Sequence, residues 1–209
     1  MELANELPPQ PRVAFLQTED LRIAASVLLN AYREDPFFRS ALPDSDYDQR
    51  LRAAVREELQ ALWQDGQKLL GLFLDDSMVG IAALVDDSYP KGHARYWNWR
   101  LKMALGAGWG SARQWMAREE ALSELTPDQP FTLLQFIAVA PQYQSKGYGQ
   151  CLLEAIVSLA DGERENLAAY VYQPEHRRLF ESQGFESIGE INLSGVSGQL
   201  FFKAHSDGT

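Results

Sequence analysis

Apolar positions along the chain change period several times, and each change marks an element. Leu21, Ala24, Ala25, Leu28 and Tyr32 recur at the three- and four-residue steps of one helical face. Thr18, followed by Glu19 and Asp20, predicts a hydroxyl cap with acids in the first turn. Arg12 to Gln17 reads as a short strand before it. Asp35-Pro36 stops the helix, and Pro43 to Asp46 introduces another that carries Leu51, Ala54, Val55, Leu59 and Leu62. Two helices are thus expected ahead of the main sheet. Lys68 to Leu74 and Met78 to Val85 are apolar runs on either side of Asp75-Asp76-Ser77, a hairpin signal.

Beyond Pro127 and Pro130 the pattern reads strand (Phe131 to Val139), helix (Gly149 to Ala160), strand (Leu167 to Tyr172), helix (Glu175 to Gln183) and two final strands (Phe185 to Leu193, Gly198 to Ala204). Such alternation predicts an α/β fold. Phe131 to Val139 is apolar nearly throughout, as a central strand covered on both faces must be. Tyr96 to Leu122 holds Trp97, Trp99, Trp109 and Trp115 with Gly106, Gly108 and Gly110 between them, and predicts two helical pieces broken at the glycines. Residues 1–11, with Pro8, Pro9 and Pro11, read as a loose lead-in to one domain over residues 12–205.

Charge and composition narrow the function classes. With 19 Lys and Arg against 29 Asp and Glu, the formal charge of −10 repels a phosphate backbone, so nucleic acid is not an expected partner. No apolar run is long enough to span a bilayer and the first residues are acidic, so a cytoplasmic protein without membrane association is expected. One cysteine, Cys151, and three scattered histidines offer neither an internal disulfide nor metal-ligand spacing, and no metal is expected.

The chemistry concentrates in Gln144-Ser145-Lys146-Gly147-Tyr148-Gly149, between the apolar strand and the helix whose buried side carries Leu152, Leu153, Ile156 and Leu159. A helix N-terminus offers unpaired N–H groups and a partial positive charge, which together can hold a diphosphate. Gly147 and Gly149 let the backbone approach such an anion, and Lys146 adds positive charge. From Gln129 to Leu153 there is no Asp or Glu, where the chain average would supply about three. A glycine turn with no ligand has the same local pattern. A dinucleotide fingerprint would need a third glycine where Leu152 stands, and a P-loop would need Gly-Lys-Ser/Thr; neither is present.

The stretch from Val139 to Gly149 resembles the acetyl-CoA motif of the GNAT N-acetyltransferase superfamily, Gln/Arg-x-x-Gly-x-Gly/Ala after a strand ending Val-x-Pro. Leu179-Phe180-Glu181-Ser182-Gln183-Gly184-Phe185 is similar to the family's second motif, and Ala31 to Phe38 to the opening of a subgroup resembling puromycin N-acetyltransferase. The resemblance implies a mixed sheet of six or seven strands with two parallel strands splayed apart and helices on both faces. It further implies acetyl-CoA as acyl donor, a small amine as acceptor, and direct attack in a ternary complex. Main chain of Ile137, Ala138 and Val139 would bond the pantetheine arm and Gln144 to Gly149 the pyrophosphate. Two positions depart from the family pattern: Gln173 replaces its helix asparagine, and Phe180 its tyrosine, which in many relatives protonates the leaving thiolate.

Phenylalanine has no proton to give, though Phe180 can pack on the cofactor. Tyr172 and Ser182 are the nearest hydroxyls by sequence position. The strand position where some relatives carry a glutamate is Leu133, which leaves Glu119, Glu120, Glu175 or water as base. Cys151 in the first helical turn reads as a small buried hydrophobe, His176 as solvated, and Arg177 and Arg178 as either phosphate partners or a basic helix face. The tryptophan segment suits an acceptor pocket, core packing or a subunit contact such as a homodimer interface. An acyl-CoA-binding regulatory protein without efficient catalysis is the competing reading, because Phe180 permits it.

Overall fold

A computed structural model of the chain describes residues 10–86, 129–193 and 196–205. The lead-in over residues 1–9, the tryptophan segment, Glu119 and Glu120 lie outside the described residues. One seven-stranded sheet runs in the order β1-β2-β3-β4-β5-β7-β6, built from β1 Pro11–Phe15, β2 Lys68–Leu74, β3 Ser77–Val85, β4 Phe131–Val139, β5 Asn166–Val171, β6 Glu186–Leu193 and β7 Val196–Lys203. All described pairings are antiparallel except β4 with β5. The implied sheet of six or seven strands therefore forms with seven, and the hairpin at Asp75-Asp76 forms as expected, with Asp75 in the left-handed region at φ 53°.

Helices α1 (Leu21–Tyr32), α2 (Pro36–Ala41), α3 (Tyr47–Gln64), α4 (Tyr148–Glu163) and α5 (Arg177–Ser182) cover the sheet. Leu28, Leu51, Leu59 and Leu62 of α1 and α3 are buried with Ile81, Phe136 and Ala138 on one face. Leu152, Leu153 and Ile156 of α4 are buried with Leu72, Leu84 and Leu134 on the other. A fully buried side chain of this size stabilises by about 1.5–3 kcal/mol, so the two apolar layers fix which face of β4 each helix meets.

Two local expectations need correction. A third helix, α2, precedes the sheet: Asp35 does end the preceding helical pattern, but it also caps a new helix with Pro36 in its first turn. The chain enters α1 through a turn over Thr18–Asp20, and the cap there is made by Asp20, whose carboxylate accepts from the Gln17 N–H at 2.8 Å, rather than by the Thr18 hydroxyl.

Candidate active site

β4 carries one residue too many for its partner. Ala83 pairs with Phe136 and Leu84 with Leu134, so Gln135 is a bulge residue. Its effect is visible in the packing: Leu134 and Ile137 face the α4 layer, while Phe136 and Ala138 face α1 and α3. Bulges bend and twist a strand. Here β4 pairs with β5 only from Phe131↔Asn166 to Leu134↔Ala169, and both strands continue beyond without that ladder. The opening holds a narrow cavity of about 50 Å³ lined by Leu134 to Ile137 of β4, Ala169 to Tyr172 around the end of β5, and aromatic side chains from α1, α2 and α5.

Consecutive strand residues send their main-chain polar groups to opposite edges. The N–H of Ala140 bonds Val79 O at 2.8 Å, and Ala138 pairs with Ile81, so these residues point at β3. Ile137 and Val139 point into the opening. Their carbonyls have partners there: the Tyr32 hydroxyl donates to Ile137 O at 3.0 Å, and Gln144 Nε2 donates to Val139 O at 2.9 Å. The Ala138 main chain, expected to bond a pantetheine arm, thus belongs to the β3 ladder, whereas Ile137 and Val139 turn their main-chain N–H groups to the opening.

The turn into α4 is built by two left-handed residues, Ser145 at φ 59° and Gly147 at φ 84°, with Gly147 as the helix cap. Alternation of this kind lets successive N–H groups converge on an anion. The Cys151 N–H is bonded back to Gly147 O at 3.0 Å, and the N–H groups of Tyr148, Gly149 and Gln150 in the first turn have no carbonyl four residues back within the helix. Gly149 is helical, and a Cβ there would only touch Leu179 at 3.9 Å, so Gly147 is the glycine the backbone needs. Lys146 is not a loose charge: its Nζ donates to Gln142 O at 2.9 Å and lies 5.5 Å over the Tyr143 ring. The charge this turn offers an anion is therefore that of its main-chain donors.

Cys151 is half-buried, and burial followed by the nearby Glu154 raises its thiol pKa, which suits a small packed side chain rather than a reactive thiolate. His176 and Arg178 are exposed and Arg177 is half-buried. Among the described residues no group of acidic, cysteine or histidine side chains could hold a metal ion, and no helix is long and apolar enough to cross a membrane.

The hydroxyl candidates separate. Ser182 is exposed, donates to Leu179 O of its own helix at 2.7 Å and is not among the residues that line the cavity. Phe180 is buried against Phe185 and Phe201 and lines the cavity. Tyr172 lines the cavity too, but its hydroxyl donates to Asp35 Oδ2 at 2.7 Å. Gln173 Nε2 donates to the same oxygen at 3.2 Å, so it is held by Asp35. Asp35, 3% exposed, also accepts from the N–H groups of Phe37 at 3.0 Å and Phe38 at 3.2 Å through Oδ1.

Sequence reasoning missed four residues here: Tyr32, Asp35, Gln135 and Glu58. Glu58 of α3 is 2% exposed and faces Gln135, whose Nε2 donates to it at 3.5 Å; by contrast Glu175 is exposed. A charged residue inside the apolar stripe of α3 was the available signal for Glu58, and a capping Asp-Pro pair for Asp35. Tyr32 looked like one more core position.

A GNAT acetyltransferase domain model matches residues 107–187, which includes β4, the cradle and α4. No curated protein sequence matches. Solved structures share the fold over nearly the whole chain. A histone acetyltransferase HPA2 and related acetyltransferase from Corynebacterium glutamicum superposes with a TM-score of 0.70 at 19% identity, over 95% of this chain and 98% of that one. An agmatine N-acetyltransferase gives 0.62 at 16%, over 93% and 99%. The ribosomal-protein-S18-alanine N-acetyltransferase from Escherichia coli gives 0.57 at 16%, over 95% and 97%. Residues 107–187 thus match a GNAT acetyltransferase domain, and the chain shares its overall fold with solved GNAT-type acetyltransferases, with β4 and β5 parting beyond Leu134 and Gly147 capping α4.

Proposed function

We propose that the protein transfers an acetyl or other short acyl group from acyl-CoA to a small amine by direct attack within a ternary complex. One observation carries the reading: β4 and β5 part beyond Leu134 and Ala169, and an aromatic-lined cavity sits where they part, on the strand that runs on to the turn before α4. A diphosphate on the first-turn amides, a pantetheine arm along Ile137 and Val139, and an acyl group in that cavity would follow one path. The cavity's size favours a short acyl chain. Holding both reactants there supplies the rate enhancement that comes from orientation.

The leaving thiolate needs a proton. A phenolic proton on a neutral carbonyl is held by about 0.5–1.5 kcal/mol, and one on a carboxylate by about 1.5–3 kcal/mol. Tyr32, bonded to Ile137 O beside the strand that would carry the thioester, gives its proton up more readily than Tyr172, bonded to Asp35. Tyr32 is therefore assigned as proton donor.

Melting with and without acetyl-CoA tests the binding half. At 100 times its Kd the ligand adds about 2.7 kcal/mol, a Tm rise of about 5–11 °C for a chain this long. No rise overturns the proposal. Thiol release across a panel of primary amines tests transfer. A second reading, a CoA-binding protein without catalysis, draws on Phe180 in the place of the family tyrosine; it gains if the protein binds acetyl-CoA and no amine accelerates thiol release.

A further inference from the structure

Asp35 uses its two oxygens differently. Oδ1 receives the first-turn N–H groups of α2, and Oδ2 receives the Tyr172 hydroxyl and the Gln173 amide. The carboxylate is buried and is not itself part of the cavity wall, whereas Tyr172 is. A tyrosine has one proton. With that proton directed at Asp35, the oxygen that Tyr172 can offer a guest is an acceptor.

The wall around it suits a cationic or amine guest. Tyr32, Phe37, Phe38, Phe136, Tyr170 and Tyr172 line the cavity, with ring centroids 5.4 Å apart for Tyr170 and Tyr172 and 6.2 Å for Phe37 and Tyr172. Aromatic faces attract an ammonium group, and a buried carboxylate behind them adds to that field.

We propose that Asp35 is a positioning residue for acetyl transfer: it orients the Tyr172 hydroxyl so that Oη accepts a hydrogen bond from the acceptor amine, and Tyr172 is an amine-recognition residue, not the acid that protonates the thiolate. This inference rests on the acetyl-transfer reading and deepens it. In the reaction the amine nitrogen forms a bond to the acyl carbon, and the C–S bond breaks with its electron pair on sulfur. Tyr32 protonates the thiolate, and of the two protons an ammonium substrate sheds, one restores Tyr32 and the other goes to water. For the nitrogen lone pair to aim at the acyl carbon, its N–H groups must point elsewhere. Tyr172 Oη gives one of them a place to go.

Asp35→Asn discriminates sharply. Its Oδ1 still caps α2, since asparagine caps as well as aspartate, but its Nδ2 donates to Tyr172 and turns the phenolic proton into the cavity. Tyr172→Phe removes the acceptor without touching the cap. The assay is steady-state thiol release with acetyl-CoA and a series of primary amines from methylamine to hexylamine, with benzylamine and 2-phenylethylamine, alongside calorimetric binding of acetyl-CoA without amine.

Each variant is expected to raise the amine KM at least tenfold and to leave the acetyl-CoA Kd within twofold; the double variant should be no worse than either single one. A Tyr172→Phe enzyme that loses kcat at unchanged amine KM overturns the proposal in favour of an acid role. Unchanged kinetics in both variants overturns it in favour of a purely structural network. Should Asp35→Asn lose acetyl-CoA binding through misfolding, Tyr172→Phe carries the test alone. A wild-type protein that binds acetyl-CoA but acetylates none of these amines refutes the transfer reading and this inference together, whereas turnover with an unchanged KM in Tyr172→Phe refutes only the inference.

Discussion

Replacing Gly147 with alanine separates the cost of the left-handed backbone from the cost of blocking the anion cradle. Gly147 caps α4 at φ 84°, and a Cβ added there meets no atom within 4 Å. The free protein therefore has no clash to relieve, only an alanine held in the left-handed region, at about 1–2 kcal/mol. For a chain of this length that predicts a Tm lower by about 2–8 °C. With ligand the methyl group stands where a phosphate oxygen would approach the amides. Weakening one charge-assisted hydrogen bond costs about 1.5–3 kcal/mol, which raises the acetyl-CoA Kd by about ten- to a hundredfold. Differential scanning fluorimetry reads the first quantity and calorimetry the second. A Tm loss in the expected range with an unchanged Kd would refute the cradle. Ser145→Gly is the control: Ser145 is already left-handed at φ 59°, so glycine there is expected to raise the Tm slightly without weakening binding.

Three further outcomes follow from the packing and the charges. In Gly198→Ala the new Cβ would lie 2.5–2.6 Å from the ring edge and hydroxyl of Tyr170, so Tyr170, which lines the cavity, must shift. A loss of about 1–3 kcal/mol by urea denaturation is expected, together with a raised amine KM, and wild-type values for both would contradict the packing. The Cys151 thiol, raised above its ordinary 9.0 by burial and then by Glu154, should react with a disulfide reagent more slowly than free cysteine at pH 8, and Cys151→Ala should leave the acetyl-CoA Kd unchanged; labelling faster than free cysteine would show a different environment. Burial pulls the Lys68 pKa down, but hydrogen bonds to Glu163 and Glu165 outweigh it and leave the pKa above 10.5. A raised lysine stabilises fully below its unfolded pKa and less as pH rises through the folded one, so the stability gap between wild type and Lys68→Met should hold below 10.5 and narrow as the pH rises above it. A gap independent of pH in urea titrations would remove Lys68 from that linkage.

Much of the sheet was legible because its signals are local. The seven apolar residues among the nine of β4, the hairpin flanking Asp75-Asp76 and the i, i+3, i+4 stripe of α3 each state their burial in a few neighbouring residues. The cradle was legible for the same reason: a left-handed cap at Gly147 ahead of an amphipathic helix is written in six consecutive residues. Helix α2 was not, because six residues are too few for a periodic pattern and Asp-Pro reads equally as a stop and as a cap.

By itself the sequence determined the strand, turn and helix proposed to hold a coenzyme A diphosphate, since main-chain donors at a helix start need only the right local conformation. Tertiary structure alone decided what the cavity side chains can do. Tyr32 reaches Ile137 O across 105 residues of sequence and Tyr172 reaches Asp35 across 137. Ser182, a plausible hydroxyl by position, turns to its own helix. Which atom a phenolic proton faces depends on long-range packing, and a pattern of nearest neighbours carries no information about that direction.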